Sequence, residues 1–262
     1  MKIAICQTAA LPLEKGVWSH YFKHIEKNSL VVFGEYVFDL FIQDWTSKDM
    51  IAQLSPQKLA MLESMAKAHR VKIIAPLITT DAKHRLYKQI AVIDAQSTEF
   101  YMQQRLIHYE HWDEEKFFDN PKRKTLKAPL AFEYEGIKIG VLFGFELHFD
   151  ALMLKLKEQG VDLIITPTAS TFQSNERWQM LCRMRAFCNG CMLVRVNSVG
   201  KVKIKDQNLE FYGESFVVNP SGQIEEKLHD KEGIACLEIT KEQIHKAARE
   251  WGFREIKQEI YQ

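Results

Sequence analysis

The sequence predicts an α/β fold, and three observations carry the prediction. Short segments rich in apolar and β-branched residues alternate with helical patterns along most of the chain. Several of these segments are apolar on both faces, as strands of a sheet covered on both sides must be. With 262 residues and 46% hydrophobic content, the chain can also bury one large core. No repeat, low-complexity tract or Pro/Gly/Ser-rich linker interrupts it, so residues 1–262 are expected to form a single domain.

Taken in order, strands are expected at residues 2–7, 30–33, 71–78, 86–93, 138–143, 161–166 and 192–196. Between the second and third of these, Ser55 and Pro56 form an N-cap and first-turn pair ahead of Leu59, Leu62 and Met65, which predicts a helix starting there. A second helix is expected over 176–188, with Trp178, Leu181, Met184 and Ala186 at helical spacing and Asn189-Gly190 as its stop signal. The last third changes style. Segments 210–218, 223–227 and 233–239, with a turn at Pro220-Ser221-Gly222, suggest hairpin-type pairing before a C-terminal helix from about residue 241.

Charge and composition exclude several classes of function. Lysine and arginine total 35 against 34 acidic residues, so a net charge of +1 gives no field to attract nucleic acid or an anionic membrane. The basic run PKRKTLK at 121–127 lacks interleaved aromatics and reads as a solvated loop. No apolar run approaches the roughly 20 residues of a membrane span, and MKIAICQTAA lacks the features of a signal peptide, so a cytoplasmic protein is expected. Its partner is expected to be a small molecule or another protein. Five cysteines, an odd number, suit a reducing compartment. Cys188 and Cys191 have CxxC spacing, but they straddle a helix end and a strand start with no second pair, so core cysteines are expected. His108, Glu110, His111 and His148 could in principle gather around a metal. Loop histidines are the simpler reading, with His148 bonded to Glu146 or a neighbouring strand. No metal and no cofactor is expected.

Specific stretches add a resemblance. KIAICQ at the start, VVFGEY at 31–36, FYMQQRL at 100–106, GIKIGVLFGFELHF at 136–149, GVDLIITPTAS at 160–170, RMRAFCNGCMLVRVNSVG at 183–200 and FYGESFVVNPSG at 211–222 occur in the order found in the nitrilase, or carbon-nitrogen hydrolase, superfamily. The chain resembles that superfamily from its first strand to roughly residue 240. The resemblance implies a four-layer αββα sandwich, commonly assembled as a homodimer.

Members of that superfamily cleave nonpeptide carbon-nitrogen bonds with a glutamate, a lysine and a cysteine. The thiolate attacks the amide or nitrile carbon, the carboxylate moves the proton, and the ammonium stabilises the developing negative charge. The resemblance places the glutamate at Glu35, in Phe33-Gly34-Glu35. It places the lysine position at Gln103, with Leu106 fixing the register against the alternative of Arg105. The cysteine position falls on Gly144, ahead of Phe145-Glu146-Leu147-His148-Phe149. No Ser, Thr or Cys lies within three positions of Gly144. Only the glutamate of the three is retained.

A second pocket glutamate is implied by the segment WDEEKFFDNP at 112–121, which resembles the N-carbamoylputrescine amidase branch of the family. Glu115 is the preferred candidate, with Glu110 and Glu114 as close rivals. Glu146, His148 and Thr168 are candidates for ligand binding. Two functions follow from this reading: a non-hydrolytic member that binds a small amide, amine or acid ligand or a protein partner, or a hydrolase in which Glu35 and Glu115 activate water, with or without metal.

Overall fold

The computed structural model describes residues 1–39, 41, 47–110, 112–171, 174–204 and 207–251. Its centre is a pair of six-stranded mixed sheets. The first joins β1 (Lys2–Gln7), β2 (Ser29–Phe33), β3 (Lys72–Thr80), β4 (Leu86–Ile93), β5 (Thr98–Met102) and β14 (Gly233–Glu238) in the order β14-β1-β2-β3-β4-β5. The second joins β6 (Leu130–Tyr134), β7 (Ile137–Val141), β8 (Leu163–Thr168), β9 (Met192–Asn197), β12 (Phe216–Val218) and β13 (Ile224–Lys227) in the order β13-β12-β9-β8-β7-β6. Parallel pairing holds the middle of each sheet, β1-β2-β3 and β7-β8-β9, while antiparallel pairs form the flanks. The remaining strands, β10 (Val199–Ile204) and β11 (Gln207–Tyr212), make a separate antiparallel hairpin.

Strand periodicity sorts the side chains into layers. Ile3, Ile5, Leu30, Val32 and Ile74 meet Ile139, Val141, Leu163, Ile165 and Val194 of the other sheet. The alternate residues Ala4, Cys6, Val31, Phe33 and Ile73 face helices α1 (Lys15–Phe22) and α2 (Lys48–His69), through Trp18, Phe22, Leu62, Met65 and Ala66. On the far side, α3 (Asp150–Glu158) and α4 (Asn175–Asn189) cover the second sheet with Met153, Leu156, Cys182 and Ala186. The result is the expected αββα sandwich. The C-terminal ends of β2, β7, β8 and β9 lie at one rim, where open α/β sheets place their sites.

Two local expectations need correction. Helix α2 starts at Lys48, capped by Ser47, whose Oγ accepts from Met50 N at 3.3 Å, and Pro56 lies inside it. The packing of Ile51 and Ser55 into the interior overrides a proline that would otherwise mark a start. The segment 210–218 is two strands, because Gly213 and Glu214 both take positive φ (66° and 54°) and break the pleat. Helix α1 and strands β6 and β10 were not read from the sequence. The helices predicted over 176–188 and from residue 241 are present as α4 and α5 (Lys241–Trp251). Among the described residues, no helix is long and apolar enough to cross a membrane.

Candidate active site

Glu35 is fixed by its backbone. A Cβ at Gly34 would lie 2.6 Å from Ser198 Oγ and 2.8 Å from Ser198 N, so glycine lets the end of β2 rest directly on the turn after β9. Glu35 N donates to Thr168 O at 3.1 Å, and Ser198 Oγ donates to Glu35 O. These bonds turn the buried Glu35 carboxylate toward the first sheet.

The cation it meets comes from the middle of β4. Lys88 Nζ lies 2.5 Å from Glu35 Oε2 and 2.5 Å from Glu114 Oε1, over the rings of Phe143 and Tyr36 at 5.0 and 5.1 Å. Lys88 is 3% exposed and Glu114 is 0% exposed. Glu114 opens a 3-10 turn (Glu114–Lys116), takes the Tyr36 hydroxyl at 3.1 Å, and accepts Ile107 N at 2.9 Å. Burial pulls the Lys88 ammonium down, but the Glu114 and then the Glu35 carboxylates outweigh it and hold the pKa well above the usual lysine value. Burial raises the pKa of Glu35, with Lys88 opposing. The second glutamate is therefore Glu114. Glu115 points outward to Lys122, since adjacent residues of a 3-10 turn cannot face the same way.

Lys88 was missed in the sequence, although a signal was there. In LYKQIAVI, period-two alternation places Lys88 on the same face as Leu86 and Ile90, and a lysine on a core-facing row needs a buried counter-charge.

Gln103 lies beside Lys88 and is almost fully buried. Gln103 N donates to Lys88 O at 3.1 Å, its Nε2 donates to Arg105 O at 2.7 Å, and its Oε1 is buried without a hydrogen-bond partner. Asn120 Nδ2 donates to both Lys88 O and Gln103 O, at 3.0 and 2.8 Å. Arg105, the rival for the lysine position, turns away and donates to the carbonyls of Gln104 and Arg123.

Glu146 ties this turn to the one that carries Gly144. One carboxylate oxygen accepts from Gln104 N (2.6 Å) and Arg105 N (3.2 Å), and the other from Phe143 N (3.2 Å). Burial pushes its pKa up to about 7 against these donors. Glu146 thus holds segments 103–105 and 143–146 together rather than facing a ligand.

Gly144 begins the 3-10 turn after β7. A Cβ there would lie 2.2 Å from Thr168 Cγ2, 3.1 Å from the Trp178 ring and 3.2 Å from Pro167 O. The space a side chain would need is filled. Thr168 is held in that rotamer by hydroxyl bonds to Asn197 Oδ1 (3.0 Å) and Val196 O (3.3 Å), so its methyl faces the glycine. Trp178 in turn covers Arg195, a fully buried guanidinium ringed by Trp178, Tyr212 and Phe216 at 5.0–5.5 Å. The field of Arg195 also reaches Glu35. His148 is exposed; its Nδ1 lies 2.9 Å from Phe145 O, and its ring meets Trp178, so the expected bond to Glu146 is not formed.

Among the described residues, no group of three or more potential metal ligands gathers at the triad positions. His108, Asp113 and Glu115 bring ligand atoms within 4.8 Å of one another. His108 already pairs with Asp113 at 3.0 Å and Glu115 with Lys122, which makes the group a surface ion-pair cluster. His111 lies outside the described residues. Cys6, Cys182 and Cys191 are core residues, whereas Cys188 and Cys236 are exposed, which corrects the expectation for Cys188.

The fold and this rim of strand ends place the chain among the α/β sandwich hydrolases in architecture. The carbon-nitrogen hydrolase family profile matches residues 2–249, and the chain belongs to that family. It is 24% identical over 257 residues to N-carbamoylputrescine amidase of Arabidopsis thaliana, covering 91% of this chain and 84% of the relative. It is 26% identical over 210 residues to the enzyme of that name from Oryza sativa, covering 74% and 68%. Among solved structures, the carbon-nitrogen hydrolase from Helicobacter pylori G27 superposes with a TM-score of 0.83 at 23% identity over 98% of this chain and 95% of that one. XC1258 from Xanthomonas campestris gives 0.85 at 16% identity over 100% and 98%.

Proposed function

We propose that the protein is a non-hydrolytic member of the carbon-nitrogen hydrolase family that uses the Glu35–Lys88–Glu114 rim to bind a small amide, amine or acid ligand. One observation carries this reading: the space beside Gly144 is filled by the Thr168 methyl and the Trp178 ring, so the position of the attacking thiol is both empty of sulfur and closed to it. Without a nucleophile, no covalent acyl intermediate forms and the retained charges can only hold a polar group. The names of the relatives make a carbamoyl amine the first ligand to try. The protein would be cytoplasmic and a homodimer, paired through α4, whose Met180 and Met184 are 60% and 54% exposed.

Incubation with carbamoyl amines, simple amides and nitriles should release no ammonia and leave the intact mass unchanged. Turnover abolished by Glu35→Gln would overturn the reading. It would favour water attack assisted by Glu35 and Glu114, and sensitivity to a chelator would add a metal to that mechanism.

A further inference from the structure

We infer that Lys88 is the site's ammonium, moved from the lysine position at Gln103 to its cross-strand neighbour. The register of β4 and β5 pairs Gln89 with Met102 and Ile90 with Tyr101. One step further along the same antiparallel ladder, Lys88 stands opposite Gln103, and the bond from Gln103 N to Lys88 O at 3.1 Å continues the pairing. Directly opposed residues of an antiparallel pair project to the same face with Cβ atoms about 5 Å apart. A lysine side chain spans more than that distance, so exchanging the two residues carries the charge to the same place from the adjacent strand.

The surroundings fit an exchange better than an accident. Lys88 Nζ is held by carboxylates on two different segments, Glu35 after β2 and Glu114 in the 3-10 turn, at 2.5 Å each. Gln103 keeps a buried polar side chain opposite Lys88, and its Oε1 has no hydrogen-bond partner. Asn120 fixes the backbone of both residues through one side-chain amide. The inference rests on the assignment of residues 35 and 103 to the family site, and it holds whether or not the protein hydrolyses anything.

The test is a charge transposition read by thermal unfolding between pH 5 and pH 8, with no activity assay involved. Lys88→Met should lower Tm at pH 8 on the order of 10 °C, because two buried carboxylates lose their cation. The loss should shrink toward pH 5, since a carboxylate whose folded pKa is raised contributes stability that is lost as pH rises through that pKa. Lys88→Met with Gln103→Lys should recover most of the Tm at pH 8 and the pH profile of the unaltered chain. A double variant no more stable than Lys88→Met at pH 8 would overturn the inference, as would a Lys88→Met variant with unchanged Tm. If Lys88→Met fails to fold, a folded double variant supports the exchange and an unfolded one refutes it.

Discussion

Gly144 is held small by its neighbours. Gly144→Ala must displace the Thr168 methyl, and overpacking of this kind costs about 1–3 kcal/mol. Thr168→Ser removes the methyl while keeping the hydroxyl bonds to Asn197 and Val196, so the double variant should recover about 1 kcal/mol or more of that loss. Denaturant unfolding of all four proteins measures the coupling; additive effects would show that the two sites do not touch. The same geometry predicts that Gly144→Cys alone cannot seat a thiol. Glu146 offers a second test at this scale. Its pKa rises from an ordinary 4.5 to about 7, so its stabilising contribution is complete below about pH 4.5 and is lost as pH rises through 7. Glu146→Gln removes that dependence. The stability gap between the unaltered protein and this variant should narrow between pH 4.5 and pH 8 by an amount on the order of 3 kcal/mol.

Among the elements, α2 shows how a long helix absorbs a poor residue. It runs for 22 residues with Pro56 inside, and its apolar row of Ile51, Leu62, Met65 and Ala66 supplies the burial that offsets the missing hydrogen bond. Its start depends on Ser47, so Ser47→Ala should lower stability by about 1 kcal/mol, visible as a small drop in the denaturation midpoint. An unchanged midpoint would mean that the first turn is held by packing instead. Strand β4 shows the reverse case, a sheet element carrying a charge on its core face because Glu35 and Glu114 reach it from two sides.

At the scale of the molecule, two mixed sheets bring the ends of β2, β7, β8 and β9 to one rim, and the charged cluster sits where they meet. The outer helices carry the face proposed above for a homodimer. The Arg185–Asp150 bridge at 2.7 Å ties α3 to α4, and among the described residues Met180 and Met184 of α4 stay exposed. Sedimentation should therefore show a dimer at micromolar concentration, and Met180→Glu with Met184→Glu should convert it to a monomer without loss of folding. A monomer before substitution would refute pairing through this face.

The sequence by itself determined the class of fold and most of the elements, because strand and helix periodicities are local and the strands here are short and strongly apolar. It also singled out Glu35, Gln103 and Gly144 through the family resemblance, since each sits in a stretch whose order along the chain matches that family. It favoured Glu115 over its neighbour Glu114, because a one-residue choice within a 3-10 turn depends on which side faces the core. Lys88 and Arg195 stayed hidden for a related reason. Each is a charged residue in an apolar strand, and only the packing of one sheet against another shows that Lys88 meets two carboxylates while Arg195 meets three aromatic rings. The filling of the space beside Gly144 was likewise decided by tertiary structure alone: Thr168 and Trp178 are 24 and 34 residues away in sequence, and long-range contacts of that kind follow from how the layers stack.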